Sequence, residues 1–212
     1  MNHLPSLFPE LSLMPVVVIN HADDAVPLAN ALLEGGIFSI EITLRTPAGL
    51  HAIEKVAKHV PEIMVGAGTV IDVEHMTACK NAGAQFQVSP GLTPTLATHA
   101  AKHHITWLPG CANASDIMLA LEHGFDHIKS FPASLIGGVP MLTQFSGVFP
   151  NIRICPTGGV SLSNMAEYAA LPSVFAIGGS WLTPKAAIDN KDWAQITTIA
   201  RQSVDALNTL AQ

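Results

Sequence analysis

Eight short apolar runs recur along this chain, at residues 15–19, 38–44, 63–65, 86–88, 105–108, 127–131, 153–155 and 174–177. They are rich in Val, Ile and Phe and bounded by Gly or Pro, which is how strands buried on both faces of a parallel sheet read. Successive starts lie roughly 20 to 26 residues apart, room for one strand and one helix each. The intervals carry helical period, as in Ala25-Leu28-Ala29-Leu32-Leu33 and Ile117-Leu119-Ala120-Leu121. Gly35-Gly36, Asn81-Ala82-Gly83 and His123-Gly124 fall where helices should stop. Asp23, Asp72, Asn113 and Ser161 stand where N-caps should begin them. The pattern predicts an α/β fold, a (β/α)8 TIM barrel near the lower size limit of that architecture, as one domain over residues 1–212. A short helix should precede the barrel and a long one, near residues 193–210, should close it. A doubly wound open sheet would carry a glycine-rich turn after the first strand, where this chain has Asn20-His21-Ala22-Asp23.

Charged residues make up only 12% of the 212, against a usual share of about 25%. Intrinsic disorder is excluded, and part of so apolar a surface is expected to be covered by another subunit. The formal charge of -6 and the lack of a basic cluster argue against nucleic acid or an anionic membrane as partner. Cys79, Cys111 and Cys155 are odd in number and outside any metal-ligand spacing, which suits a reducing cytoplasm. The N-terminal residues lack a basic flank and a cleavage pattern, and the apolar run 14–19 is far short of the ~20 residues that cross a bilayer. A soluble, unexported protein is expected.

In such barrels the chemistry sits at the C-terminal ends of the strands. Glu41, Thr43 and Arg45 alternate along the second strand and so share a face; an outward ion pair among the helices is the other reading. Lys129 lies mid-strand between His127 and Phe131, and burying an ammonium costs several kcal/mol unless it is paired or neutralised. A desolvated lysine near another cation titrates below ~10.4 and yields an amine that attacks a ketone to form a Schiff base. The competing reading is a lysine snorkelling to solvent. Thr157-Gly158-Gly159 and Gly178-Gly179-Ser180 end the last two strands, the usual phosphate site of this fold, although a Gly-Gly pair also serves simple turns. Gly66-Ala67-Gly68-Thr69, Ser89-Pro90-Gly91 and Pro109-Gly110 read mostly as turn chemistry, with Thr69 either a carboxylate donor or a cap. The ten histidines are scattered; His127 alone points inward, and one histidine makes no metal site.

Taken in order, Glu41-Ile42-Thr43-Leu44-Arg45-Thr46, Gly66-Ala67-Gly68-Thr69-Val70, Ser89-Pro90-Gly91-Leu92, Lys129 with Phe131-Pro132-Ala133, Pro156-Thr157-Gly158-Gly159 and Gly178-Gly179-Ser180-Trp181 resemble the 2-keto-3-deoxy-6-phosphogluconate (KDPG/KHG) aldolases. The resemblance implies a class I aldolase of the Entner-Doudoroff route, a homotrimeric (β/α)8 barrel with no cofactor and no metal. It implies cleavage of the phosphorylated keto acid into pyruvate and glyceraldehyde 3-phosphate. By motif, Lys129 is similar to the Schiff-base lysine and Glu41 to the general acid/base. Arg45 and Thr69 match the binders of the pyruvate carboxylate, and Pro90 and Phe131 the walls of that pocket. Thr157 matches the position tied to stereochemistry at the aldehyde side, while Gly158, Gly159, Gly179 and Ser180 match phosphate contacts.

The family usually reads Lys-Phe-Phe-Pro-Ala-Glu where this chain reads Lys129-Ser130-Phe131-Pro132-Ala133-Ser134. Ser130 should face away from Lys129 and alter packing only. Ser134 removes a carboxylate from a loop beside the site and bears on substrate preference. A related lyase acting on 2-keto-4-hydroxyglutarate or a phosphogalactonate analogue is the alternative enzyme. A phosphate-binding barrel without catalysis would leave the inward lysine and glutamate without purpose.

Overall fold

The computed structural model describes residues 7, 8 and 11–210. Within them the strands are β1 (Ser12–Val17), β2 (Ser39–Thr43), β3 (Met64–Gly68), β4 (Phe86–Val88), β5 (Trp107–Leu108), β6 (Gly110–Cys111), β7 (His127–Ser130), β8 (Arg153–Pro156) and β9 (Ala176–Gly179). Between them run α1 (Ala25–Glu34), α2 (Gly49–His59), α3 (Val73–Asn81), α4 (Pro94–Lys102), α5 (Ala114–Glu122), α6 (Gly138–Val148), α7 (Met165–Ala169), α8 (Lys185–Asp189) and α9 (Trp193–Leu210). All strand pairings among the described residues are parallel, in the orders β5-β4-β3-β2-β1-β9 and β6-β7-β8. The fold is therefore α/β, with a parallel sheet curled into a half-barrel.

One of the gaps in that sheet has a local cause. The fifth apolar run is cut into β5 and β6 by Pro109, which has no N–H to give the ladder, although its carbonyl accepts from Lys129 N at 2.8 Å. Between β8 and β9 only the bridges Ile154–Val174 and Thr157–Gly178 form. The short N-terminal helix expected before the barrel lies largely outside the described residues, whereas the C-terminal helix α9 spans the residues expected of it.

The first strand begins earlier than its apolar run suggests, because Ser12 to Pro15 pair with Ala176 to Gly179. Asp72 and Asn113 cap α3 and α5 as expected, accepting from His75 N and Asp116 N. Asp23 instead lies in a 3-10 turn ahead of α1, and Asn164 rather than Ser161 stands at the cap of α7. Thr93 caps α4 with Pro94 in its first turn, a start signal absent from the sequence reading.

Two apolar layers result. The larger packs the helices on the outside of the sheet, around residues such as Leu28, Ile40, Ile53, Trp107 and Ile154. The smaller fills the sheet's concave side: Phe8, Met14, Phe86, Val88, Leu108, Cys155, Phe175 and Ala176. Phe8 stands edge-on to Phe86 and Phe175, with centroids 5.5 and 5.9 Å away. This layer is a buried apolar floor, and it leaves the C-terminal ends of the strands for polar side chains.

Candidate active site

Lys129 sits in the middle of β7 with its side chain turned into the concave side, as alternation required. Its Nζ donates to both oxygens of Glu41 on β2, at 3.0 and 3.1 Å. The two residues are 5% and 1% exposed, so this is a buried charge pair, not an outward one and not a snorkelling lysine. The group in contact with the ammonium is a carboxylate, where the sequence reading anticipated a neighbouring cation. Breaking such a pair by removing one partner costs about 3–5 kcal/mol. The lysine also lies over the Phe131 ring, 5.5 Å from its centroid.

Room for the carboxylate comes from β3. A Cβ on Gly68 would stand 2.7 Å from Glu41 Cγ and 2.9 Å from Cδ, closer than carbon atoms approach. Two residues earlier, Gly66 makes the same allowance for the Phe86 ring in the floor. Both glycines are strand residues facing inward, not the turn residues the sequence suggested; their spacing of two, matching the pleat, was the available signal.

Arg45 and Thr69 meet at the mouth, the guanidinium Nε donating to Thr69 Oγ1 at 3.2 Å. Thr69 holds a φ of 59°, a left-handed conformation that costs energy in a β-branched residue. Thr43 shares its strand with Glu41 but spends its hydroxyl on Val17 O at 2.8 Å, tying β2 to β1. Pro90 is exposed at the end of β4. A Cβ on Gly110 would collide with its carbonyl, and Gly110 is in register with Lys129, so Pro90 stands one strand from the lysine.

On the other flank, Thr157 is buried and leans over Gly178, where a Cβ would come 3.2 Å from Thr157 Cβ and nearer its hydroxyl. Gly158 and Gly159 follow with φ of 95° and 76°, a conformation open to glycine without strain. Among the described residues the amides of Gly159 and Val160 find no acceptor, which suits a pocket for an anion. Gly179 ends β9 and Ser180 opens the next loop, placed beside Gly158 by the Thr157–Gly178 bridge. Cys155, absent from the sequence reading of the site, lies in register with Lys129. Burial pushes its thiol up to about 12, with the Lys129 charge opposing. Inward-facing His127 is buried below, 2.7 Å from Asp126 Oδ1 and edge-on to Phe175.

A buried lysine with a carboxylate in contact, a guanidinium at the mouth and two open backbone amides on the other flank is a set suited to carbonyl chemistry on an acidic substrate. The family model described as "KDPG and KHG aldolase" matches residues 5–199. This chain belongs to that aldolase family. The 2-dehydro-3-deoxy-phosphogluconate aldolase of Pseudomonas aeruginosa is 46% identical over 95% of this chain and 92% of its own length. A solved aldolase of Zymomonas mobilis with 3-phosphoglycerate is 43% identical, with a TM-score of 0.90 over 96% of this chain and 95% of its own. An equally similar aldolase from Legionella pneumophila, at 43% identity and TM-score 0.90 over 92% and 95%, holds pyruvate as a covalent carbinolamine. The aldolase described here is likewise a carbon–carbon lyase of the Schiff-base class. Among its described residues no helix is long and apolar enough to cross a membrane.

Proposed function

We propose that this aldolase cleaves 2-keto-3-deoxy-6-phosphogluconate into pyruvate and glyceraldehyde 3-phosphate, with Lys129 as nucleophile and Glu41 as the shuttling acid/base. The observation that carries the assignment is the buried Lys129–Glu41 contact at 3.0 and 3.1 Å. The ammonium passes a proton to Glu41, and the amine attacks the C2 ketone. Glu41 returns that proton as the C2 hydroxyl leaves as water, so an iminium forms beside a carboxylate. The iminium accepts the electrons of the C3–C4 bond while Glu41, through a water, takes the C4 hydroxyl proton. The aldehyde phosphate departs, C3 of the enamine is protonated, and water hydrolyses the imine to free pyruvate.

Arg45 and Thr69 hold the C1 carboxylate, Pro90 and Phe131 wall the pyruvate methyl, and Thr157 faces C4. Gly158, Gly159, Gly179 and Ser180 receive the phosphate. The strand ends that carry these groups belong to a closed (β/α)8 barrel over the whole chain, a reading supported by the Ile154–Val174 and Thr157–Gly178 bridges and the Lys129–Pro109 contact. A cytoplasmic homotrimer is the working form, supported by apolar side chains this chain leaves in solvent, Phe38 and Ile71 among them. Sedimentation velocity checks the assembly. Borohydride reduction in the presence of pyruvate tests the chemistry: label is expected on the Lys129 peptide, and label elsewhere, or none, overturns the assignment.

A further inference from the structure

The loop after β4 meets β6 where the parallel ladder fails twice. Pro90 and Pro109 carry no N–H, so neither can give the bond that a neighbouring strand would take. Ser89 N still donates to Leu108 O at 3.3 Å, the last regular link between β4 and β5. Past it the Ser89 side chain takes over. Ser89 is only 1% exposed, and its hydroxyl donates to Gly91 O at 2.6 Å while accepting from Gly110 N at 3.4 Å. One oxygen thus folds the chain around Pro90 and fastens it to β6. By the period of two, Pro90 shares the inward face of Phe86 and Val88, and Ser89 the outer one. The fit is close, since a Cβ on Gly110 would stand 2.3 Å from Pro90 C and 2.4 Å from Pro90 O. Pro109, beside Gly110, accepts from Lys129 N at 2.8 Å, and Gly110 is in register with Lys129. The same two residues therefore hold the lysine on one side and the Pro90 loop on the other.

We infer that Ser89 is a positioning residue for substrate selection: its hydroxyl seats Pro90 on β6 and so sets how large a group fits beside the ketone that meets Lys129. The inference rests on the reading of Pro90 as a wall of the pyruvate methyl. A pocket closed at that size discriminates against one further methylene by about 10–200-fold. A wall hung on hydrogen bonds gives way when they are removed. Ser89 acts through Pro90, because its own hydroxyl is spent on Gly91 and Gly110.

The test runs the enzyme in the direction of addition, joining glyceraldehyde 3-phosphate to pyruvate or to 2-oxobutanoate, and takes the ratio of the two kcat/KM values. With the aldehyde on one side of C3, the extra methyl of 2-oxobutanoate has to meet the Pro90 wall. Ser89→Ala should lower the preference for pyruvate by about fivefold, the worth of one net hydrogen bond, and lower Tm as well. Gly110→Ala, whose Cβ pushes the Pro90 backbone off β6, should lower the preference too, and it carries the test if Ser89→Ala folds poorly. Gly91→Ala places its Cβ in open space and should keep the parental ratio. A lower Tm with a parental ratio in Ser89→Ala or Gly110→Ala would leave the clamp a structural feature only and overturn the inference. An equal fall in Gly91→Ala would overturn it as well. A parental ratio in Pro90→Ala would refute the wall itself and the inference with it, whereas a shifted ratio there beside a parental one in Ser89→Ala would keep the wall and refute the clamp.

Discussion

Gly68 is where a single methyl group should separate chemistry from folding. In Gly68→Ala the new Cβ would press on Glu41 at 2.7 Å from Cγ and 2.9 Å from Cδ. Carbon contacts settle near 3.5–4.0 Å, so the carboxylate has to retreat by about 1 Å. Its bonds to Lys129, now 3.0 and 3.1 Å, then stretch out of hydrogen-bond range. A misplacement of about 1 Å in a reacting group costs on the order of 10²-fold in rate, or about 2.7 kcal/mol of transition-state stabilisation. The fold should survive, since overpacking costs about 1–3 kcal/mol and about 2–4 °C of Tm per kcal/mol in a chain of this size. Gly66→Ala is the control. It drives the same methyl group to 2.5 Å from Phe86 Cε1 in the floor, so it should lose a similar Tm while keeping kcat within about threefold. Pyruvate release, read through lactate dehydrogenase and NADH, gives kcat; circular dichroism gives Tm. A Gly68→Ala enzyme with more than half the parental kcat, or a Gly66→Ala enzyme equally crippled, would refute the idea that the β3 glycines seat the carboxylate.

Other substitutions and conditions probe separate parts of the account. Lys129→Arg keeps the charge but cannot yield an amine, so turnover and borohydride labelling should both vanish in a folded protein; a tenth of the activity remaining would displace Lys129 from its role. Because the iminium is itself the electron sink, prolonged EDTA treatment should leave kcat unchanged, and loss restored by added metal would contradict the Schiff-base route. Burial raises the Cys111 and Cys155 thiols from 9.0 to about 12, so the unfolded chain releases their protons first as pH rises. Stability is then full below pH 9 and falls toward pH 12 by up to about 1.4 kcal/mol per pH unit for each thiol. Urea midpoints between pH 9 and 10.5 should decline less steeply in a Cys111→Ala, Cys155→Ala variant, and identical slopes would count against this. Asn113→Ala deletes the bond from Asp116 N, 3.1 Å long, and should cost about 1 kcal/mol, read as a Tm drop of about 2–4 °C with kcat unaltered.

Much of the strand-helix order was written in local pattern, because buried parallel strands need continuous apolar runs and helices need caps and stops. Phe86–Val88 and Trp193–Leu210 fell on the predicted residues for that reason. Side-chain direction within a strand follows from a period of two, so the inward aim of Lys129 was legible from its neighbours alone. What it meets was not. Glu41 lies 88 residues away, and only the curl of the sheet brings it to 3.0 Å, turning two separate oddities into a charge pair. Local reasoning also misread Gly66 and Gly68, since a glycine that ends a strand and one that clears space for a distant side chain look alike in one dimension. Asp23 and Ser161 failed as caps for a related reason: both can cap, and tertiary packing put the helix starts one or a few residues on. The packing of Ser134 on Gly159 depends on two loops from different strand ends, so the sequence by itself marked Ser134 as a departure and only the tertiary structure decided what it touches.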